Sequence, residues 1–218
     1  MAADRPSGPP AGRLDDLTGD VTTTISRAQR GDRTAFSQLV VRHQDAVYTL
    51  CYRLTGNTED AADAAQEAFL SAFRHIADYR GGSFAGWLLR IASNACHDLH
   101  RYRRRRPSES LDAAPDGASD ETPSRDVPDA APGPEGEALQ RELAQALQQG
   151  LLQLSEEQRQ AVVLCDQYGY DYQSIAEMTG VELGTVKSRI NRARTRMRDF
   201  LRGHRELLPD AYRLSETG

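Results

Sequence analysis

The stretch DYQSIAEMTGVELGTVKSRINRARTRMR, residues 171–198, decides the fold of the segment that contains it. Asp171 is suited to cap a short helix that ends at Gly180, and a second helix is predicted from near Leu183 to about Leu201. Two helices joined by a tight turn that contains glycine form the helix-turn-helix pattern. The segment is therefore predicted to be helical and to bind duplex DNA.

The second predicted helix has an apolar side and a basic side. Its apolar residues repeat at helical spacing and are Val186, Ile190, Ala193, Met197, Phe200 and Leu201. Between Thr185 and Arg205 the sequence has eight lysines or arginines and one acidic residue. A recognition helix reads bases with its first residues and holds phosphates along its length. DNA contacts are therefore predicted for Thr185, Lys187, Ser188, Arg189, Asn191, Arg192 and Arg196.

Two further helices are predicted before this pair. Leucines at 139, 143, 147, 151 and 154 repeat at three- and four-residue spacing, which is typical of an amphipathic helix. Ser155 and Gln158 match a capping box that starts the next helix, and Gly169 ends it. The carboxy-terminal part of the chain thus reads as a small helical domain, residues 138–203, followed by a tail, 204–218.

The amino-terminal part is predicted to form a second helical domain, residues 21–106. Its helices run from Thr22 to Arg30, from Arg33 to Thr55, from Thr58 to about Ile76 and from Phe84 to about Arg106. The predicted core stripe of the third is Ala62, Ala65, Phe69, Phe73 and Ile76, and that of the fourth is Phe84, Leu88, Ile91, Ala95, Leu99 and Tyr102. On the third helix, Asp60, Asp63 and Glu67 either stabilise the helix start or form a docking surface for a basic partner.

One flank of the fourth helix carries Trp87, Arg90, Asn94, Asp98 and Arg101. Such a row can stack a base, bind its edge and hold its phosphate, as proteins that bind single strands do. The plain structural alternative places Trp87 in the core and leaves the arginines solvated. Residues 100–106 then bring five arginines, which favour contact with a phosphate backbone.

The net charge of −5 argues against a nucleic-acid partner only until it is divided by segment. Residues 107–137 hold nine acidic residues against one arginine, a net charge of −8, which leaves +3 for the rest. The same segment has six of the ten prolines and no apolar periodicity. It is predicted to be a flexible acidic linker with a contour of about 100 Å, so the two helical domains can lie far apart.

Several other classes of protein fit the sequence poorly. No apolar run is long enough to span a membrane, and residues 1–20 lack the apolar segment of a secretory signal, so a disordered leader and a cytoplasmic location are expected. Three widely spaced cysteines do not suggest a disulfide framework. Cys96, His97 and His100 are a weak metal cluster without a fourth ligand nearby, and we expect no enzyme activity, metal or cofactor.

Three motifs in order resemble the extracytoplasmic-function (ECF) sigma factors of bacterial RNA polymerase. DAADAAQEAFL (60–70) is similar to their region 2.2, and FxxWLxxIAxNxxxDxxR (84–101) to regions 2.3 and 2.4. YxxIA (172–176), followed by GTVKSRxxRAR (184–194), is similar to region 4.2. The resemblance covers about residues 22–106 and 138–202.

The resemblance implies an all-α sigma factor that gives core RNA polymerase its promoter specificity. It implies contact with the β′ clamp helices through Asp60, Asp63, Gln66 and Glu67, and with the β flap through the carboxy-terminal domain. It implies minus-10 DNA contacts from Tyr79, Arg80, Ser83, Trp87, Arg90, Asn94, Arg101, Arg103 and Arg104, and minus-35 contacts from the seven residues predicted above. An anti-sigma factor is an expected partner. The alternative is a helix-turn-helix regulator that acts without polymerase, which leaves residues 60–70 and 84–101 unexplained.

Overall fold

The computed structural model describes residues 20–105 and 134–204, and it confirms the all-α prediction, with no strand in these two ranges. The amino-terminal unit comprises α1 (Asp20–Gln29), α2 (Arg33–Thr55), α3 (Thr58–His75), a 3₁₀ turn (Ile76–Asp78) and α4 (Phe84–Arg105). The carboxy-terminal unit comprises α5 (Pro134–Leu152), α6 (Glu156–Val162), a π turn (Val163–Gln167), α7 (Tyr172–Thr179) and α8 (Leu183–Arg202). Residues 1–19 of the predicted leader, Arg106, linker residues 107–133 and tail residues 205–218 lie outside the described residues, and α5 begins inside the predicted linker.

The helix ends of the amino-terminal unit follow from local capping. The Asp32 carboxylate accepts a hydrogen bond from the Ala35 N–H, and the Asn57 side chain accepts one from the Asp60 N–H. Between them, Gly56 caps the end of α2, with a φ of 75°, and lies against Leu152. These caps satisfy N–H groups that the first turn of a helix leaves unpaired.

The buried side of α3 differs from the predicted stripe. Its core residues are alanines 61, 64, 65, 68 and 72, whereas Ala62 is exposed and Phe73 is 41% exposed. Phe73 instead contacts the edge of the Phe36 ring, with 5.0 Å between centroids. The prediction followed the helical spacing of Ala62, Ala65, Phe69, Phe73 and Ile76, but a side of alanines lets α2 and α4 pack close to α3.

The predicted stripe of α4 was also wrong in its direction. The buried residues are Phe84, Ala85, Gly86, Leu88, Leu89, Ala92, Ser93 and Cys96, so the buried arc is rotated by roughly 120° from Ile91 at 3.6 residues per turn. Ile91 and Ala95 are half-buried and Tyr102 is 52% exposed. The reason is that the carboxy-terminal unit covers a second side of α4.

The carboxy-terminal unit matches its predicted caps closely. Ser155 accepts a hydrogen bond from the Gln158 N–H, Asp171 accepts one from the Ser174 N–H, and Gly180 ends α7 with a φ of 69°. Along α8, Val186, Ile190 and Ala193 are buried as predicted, while Met197, Phe200 and Leu201 are half-buried. A single stripe on α8 thus packs on α5, α6 and α7 and leaves its other sides open.

The two units are in direct contact. α2 packs on α5 and α6, and the buried apolar residues of both units form one connected cluster. The sequence predicted that the two units can lie far apart. In this structure they touch.

Candidate nucleic-acid interface

The predicted DNA-contacting residues of α8 lie together on its open side. Lys187, Asn191, Arg192 and Arg196 are exposed, and Thr185, Ser188 and Arg189 are half-buried. Small residues stand at the start of the helix and arginines follow. This order suits a helix that places its first turn against base edges and its later turns along phosphates.

Two arginines of α8 bind side chains on other elements of their own unit. Arg194 donates to the Asp166 carboxylate, and this hydrogen bond raises the pKa of Arg194. Arg196 donates to the Gln158 Oε1 over 3.0 Å. The sequence missed the Arg194 pair because Asp166 lies 28 residues away. The pair ties α8 to the π turn that precedes α7.

The side of α4 opposite its buried arc carries Arg90, Asn94 and Arg101 of the predicted minus-10 residues. Arg103 instead faces α3, where it pairs with Asp60. Arg90, Asn94, Arg101 and Arg104 are exposed, with Arg101 donating to Asp98 over 2.7 Å. Trp87 is half-buried, 5.5 Å from the Tyr79 ring and 5.4 Å from the Phe84 ring between centroids. The tryptophan is therefore clamped by two aromatic rings, with part of its surface open to a ligand.

The loop before α4 is built to hold a fixed shape. The Tyr79 hydroxyl donates to the Gly82 carbonyl over 2.6 Å, and Gly81 and Gly82 have φ values of 100° and 89°. Ser83 accepts a hydrogen bond from the Gly86 N–H, and Arg80 donates to the Ala77 carbonyl. Positive φ values of this size favour glycine.

A groove lies between this loop and α1. Its lining includes Thr22, Ser26, Gln29, Tyr79 and Arg80 but neither Trp87 nor Asn94. The Gln29 amide donates to the Tyr79 carbonyl over 2.9 Å and so fixes the loop on α1. This role of α1 has no local signal in the sequence, because Gln29 is 50 residues from its partner.

The predicted polymerase-binding residues are divided in the structure. Asp63, Gln66 and Glu67 are exposed on α3, with Glu67 paired to Arg74. Asp60 is buried and forms an ion pair with Arg103 of α4, so these two residues bind each other. Burial raises the pKa of Asp60 more than the charge of Arg103 lowers it.

The three cysteines of the chain are free thiols. Cys51 and Cys96 are buried and unoxidised, and the pKa of Cys51 is raised by its hydrogen bond with Cys96 and by burial. Within residues 20–105 and 134–204 no group of His, Cys, Asp and Glu is suited to hold a metal ion. In the same ranges no helix is both long and apolar enough to cross a membrane.

The chain matches two sequence families over most of its described length. Residues 39–106 match Sigma-70 region 2, and residues 144–197 match Sigma-70, region 4. The first match contains α3, α4 and the loop between them. The second contains α6, α7 and most of α8.

Known proteins are similar along nearly the whole chain. The "ECF RNA polymerase sigma factor SigE" of Mycolicibacterium smegmatis is 41% identical over 200 residues, which cover 91% of this chain and 71% of that protein. The structure of CnrH in complex with the cytosolic domain of CnrY is similar at 25% identity and a TM-score of 0.58, over 84% of this chain and 97% of CnrH. The sigma factor RpoE of Bartonella quintana, solved with the anti-sigma factor NepR, shares the fold at 24% identity and a TM-score of 0.59, over 76% of this chain and 96% of RpoE.

Proposed function

The chain belongs to the extracytoplasmic-function sigma factors of the sigma-70 family, and on that premise we propose how its two units divide promoter recognition. It is an alternative sigma factor that directs transcription initiation. In our proposal, α8 reads the minus-35 element as duplex DNA. The open side of α4 and the loop at residues 79–83 bind the minus-10 element as a separated strand.

The observation that carries this division is the difference between the two open helix sides. α8 presents basic and small polar groups without an aromatic ring, which suits phosphates and groove edges. α4 presents a tryptophan, an asparagine and arginines, which suit an unstacked base. Unstacking a base costs a few kcal/mol, and stacking on an aromatic side chain returns about 1–3 kcal/mol. Binding unpaired bases on α4 therefore offsets much of the cost of strand opening.

We place the polymerase contact on the exposed side of α3. Asp63, Gln66 and Glu67 share that side, and their charge suits the basic surface of a partner helix such as the β′ clamp helices. We assign Asp60 an indirect part in this contact, through Arg103. Its carboxylate is buried and paired with Arg103 within the unit. The carboxy-terminal unit would meet the β flap.

The proposal also covers partners and location. The role is one of binding rather than catalysis, and it places the protein in the cytoplasm with its polymerase. We include an anti-sigma factor as a partner, as the family implies. CnrH, which has a similar structure, was solved with the cytosolic domain of another protein bound to it.

Run-off transcription from a genomic promoter library tests the function. With core RNA polymerase, the chain is expected to select a small set of start sites that core enzyme alone does not use. The isolated chain is expected to bind the same promoters weakly. Absence of any selected start site would contradict the proposal. Equally tight promoter binding without polymerase would instead favour the helix-turn-helix regulator.

A charge reversal on α3 tests the docking surface. Asp63→Lys is expected to weaken binding to core polymerase at least tenfold, because a lysine repels a basic partner. Glu177→Lys on α7 is the matched control, since it makes the same change at an exposed acid of the other unit. Equal weakening by both variants would show that net charge, rather than this surface, is responsible.

A further inference from the structure

Two cysteines from different helices meet inside the amino-terminal unit. Cys51 lies near the end of α2 and is 0% exposed, and Cys96 lies in the second half of α4 and is 5% exposed. The two helices pack against each other, and both residues belong to the same buried cluster. A hydrogen bond joins the two thiols. The fold therefore brings together two sulfurs that are far apart in the sequence.

One of these two thiols faces open space. Cys96 lines a cavity of about 40 Å³, whose lining also includes Thr55, Leu99, His100 and Arg103 but not Cys51. A single water needs a cavity of roughly 10–15 Å³, so this one has room for a molecule as small as hydrogen peroxide. His100 and Arg103 are exposed, so the cavity communicates with solvent.

The surroundings of the two thiols give them different roles. The hydrogen bond with Cys96 and burial raise the pKa of Cys51, so this thiol keeps its proton. Cys96 shares its cavity with the Arg103 guanidinium and the His100 imidazole. Positive groups beside a thiol favour the thiolate, which is the nucleophile, although the carboxylate partners of these two groups offset part of the charge. Cys96 is thus the thiol placed to react first with an oxidant.

We propose that Cys51 and Cys96 are a peroxide-sensitive thiol pair, which hydrogen peroxide entering the cavity at Cys96 converts into a disulfide. Disulfides that form in a reducing compartment are usually transient and report on oxidants. The pair would therefore stay reduced until peroxide is present and return to two thiols when a cellular thiol reduces it. The formation of this disulfide does not depend on the proposed function.

The reaction has two steps and consumes one molecule of hydrogen peroxide. The Cys96 thiolate attacks one peroxide oxygen and the O–O bond breaks. The departing hydroxide takes up the proton that Cys96 released, which leaves a sulfenic acid at Cys96 and one water. The Cys51 sulfur then attacks the Cys96 sulfur, the S–O bond breaks, and the Cys51 proton leaves with the hydroxide as a second water. The two thiols together lose two electrons, which the peroxide gains.

The disulfide would move α4 relative to α2. A covalent S–S bond is shorter than the hydrogen bond that it replaces, so the two helices must approach each other. Val47 and Leu50 of α2 and Ala92 of α4 are 0% exposed, and a close-packed core transmits such a shift rather than absorbing it. Asn94, two residues before Cys96, lies on the open side of α4 and moves with the helix. We therefore expect the oxidised chain to open promoters less well, and this consequence rests on the proposed function.

Peptide mapping of the full chain after peroxide treatment tests the disulfide. Remaining thiols are alkylated, and the digest is expected to contain a peptide cross-linked through Cys51 and Cys96 that is lighter than the two reduced peptides by two hydrogen atoms. Cys165→Ser, which removes the one cysteine that is not buried, is the matched control and is expected to leave the yield unchanged. Oxidation confined to Cys165, or a cross-link that includes Cys165 instead, would overturn the proposal.

Single substitutions test the order of the two steps. Cys51→Ala is expected to stop the reaction at the Cys96 sulfenic acid, which a cyclic diketone reagent traps as a mass increase at Cys96. Cys96→Ala is expected to leave Cys51 unmodified, because the cavity does not reach it. Serine variants at the two positions keep the size of the side chain and replace any alanine variant that does not fold. Trapping at Cys51 in the second variant and not at Cys96 in the first would overturn the assigned roles.

Transcription with core polymerase, added after the peroxide has been removed, tests the consequence. The chain with the disulfide is expected to give about tenfold less promoter-specific product than the same sample after reduction with dithiothreitol. Recovery on reduction excludes irreversible damage, and Cys96→Ser treated in the same way is expected to keep its activity. Equal activity of the oxidised and reduced chains would overturn the effect on promoter opening. If the disulfide forms but neither state directs transcription, the proposed function fails and the thiol pair stands.

Discussion

α4 and α8 are similar in length and in arginine content but differ in how they are packed. They have 22 and 20 residues and both are rich in arginine. α4 is covered by its own unit and, on a second side, by the carboxy-terminal unit, whereas α8 is buried along one stripe. The number of basic residues on a helix therefore does not tell how much of its surface is open to DNA.

The arginines of the two helices also differ in how free they are to bind DNA. On α4, Arg103 holds the buried Asp60 and Arg101 holds Asp98. On α8, Arg194 holds Asp166, while Arg192 is exposed on the side predicted to meet DNA. An arginine that already has a carboxylate partner is a poorer phosphate ligand than one that does not.

The largest expected effect tests the rotated core side of α4. Leu89→Ala is expected to lower the free energy of unfolding by about 2–5 kcal/mol, because Leu89 is 1% exposed. Ile91→Ala, at the centre of the stripe predicted from the sequence, is expected to cost only about 1 kcal/mol. Urea unfolding followed by the fluorescence of Trp87, the single tryptophan, measures both. The reverse order would restore the sequence-based stripe.

The next effect tests the open side of α8. Arg192→Ala is expected to weaken binding to a minus-35 duplex about tenfold and to lower the salt slope by about one. Arg194→Ala is the control on the same helix, because the Arg194 guanidinium is engaged by Asp166. Binding to core polymerase is measured alongside and should be unchanged in both. Equal loss of DNA and polymerase binding would indicate misfolding instead.

A smaller effect on stability is expected from the side-chain cap, which α4 has at its start and α8 lacks. Ser83→Ala is expected to lower stability by about 1 kcal/mol, since Ser83 accepts a hydrogen bond from the Gly86 N–H. Glu182→Ala is expected to have little effect, because the Glu182 side chain makes no capping bond at the start of α8. Denaturation midpoints of the two variants compare them directly. A cost at Glu182 as large as at Ser83 would contradict the absence of a side-chain cap at the start of α8.

The smallest expected effect is on the pH dependence of folding stability, to which Asp60 and Glu157 contribute with opposite signs. Burial raises the pKa of Asp60 near α4, so its stabilising contribution is present at low pH and is lost as pH rises above about 4. Hydrogen bonds from its own N–H and from Ser155 lower the pKa of Glu157 near α8, so its contribution is lost as pH falls below about 4.3.

The urea midpoint of the wild type relative to each neutral variant measures these slopes. Relative to Asp60→Asn it should decrease from pH 4 to 6.5, and relative to Glu157→Gln it should increase. Slopes of the same sign would contradict the difference in environment between the two carboxylates.

Most of the fold could be predicted from the sequence where the signal is local. The caps at Asn57, Ser155 and Asp171, the stop at Gly56 and the stripe of α8 depend on neighbours within a few residues. The core side of α4 could not be predicted, because its direction depends on a unit that joins it from more than 60 residues away. Periodicity shows that a helix has an apolar side but not that a second body will cover a polar one.

The residue types of the candidate site could be predicted from the sequence, but the contacts between its side chains and distant residues could not. The exposed row on α4 and the basic side of α8 follow from helical spacing alone. The Asp60 pair with Arg103 and the place of Gln29 beneath the loop depend on residues more than 40 positions apart. Such contacts leave no trace in a single sequence.

Permanganate reactivity of unpaired thymines in the minus-10 element of a selected promoter tests the central claim most directly. With core polymerase and the wild-type chain, these thymines should become reactive, and with Asn94→Ala their reactivity should decrease while minus-35 protection persists. Core polymerase alone should give no reactivity. Equal reactivity with and without the chain would contradict its role as the subunit that selects and opens the promoter.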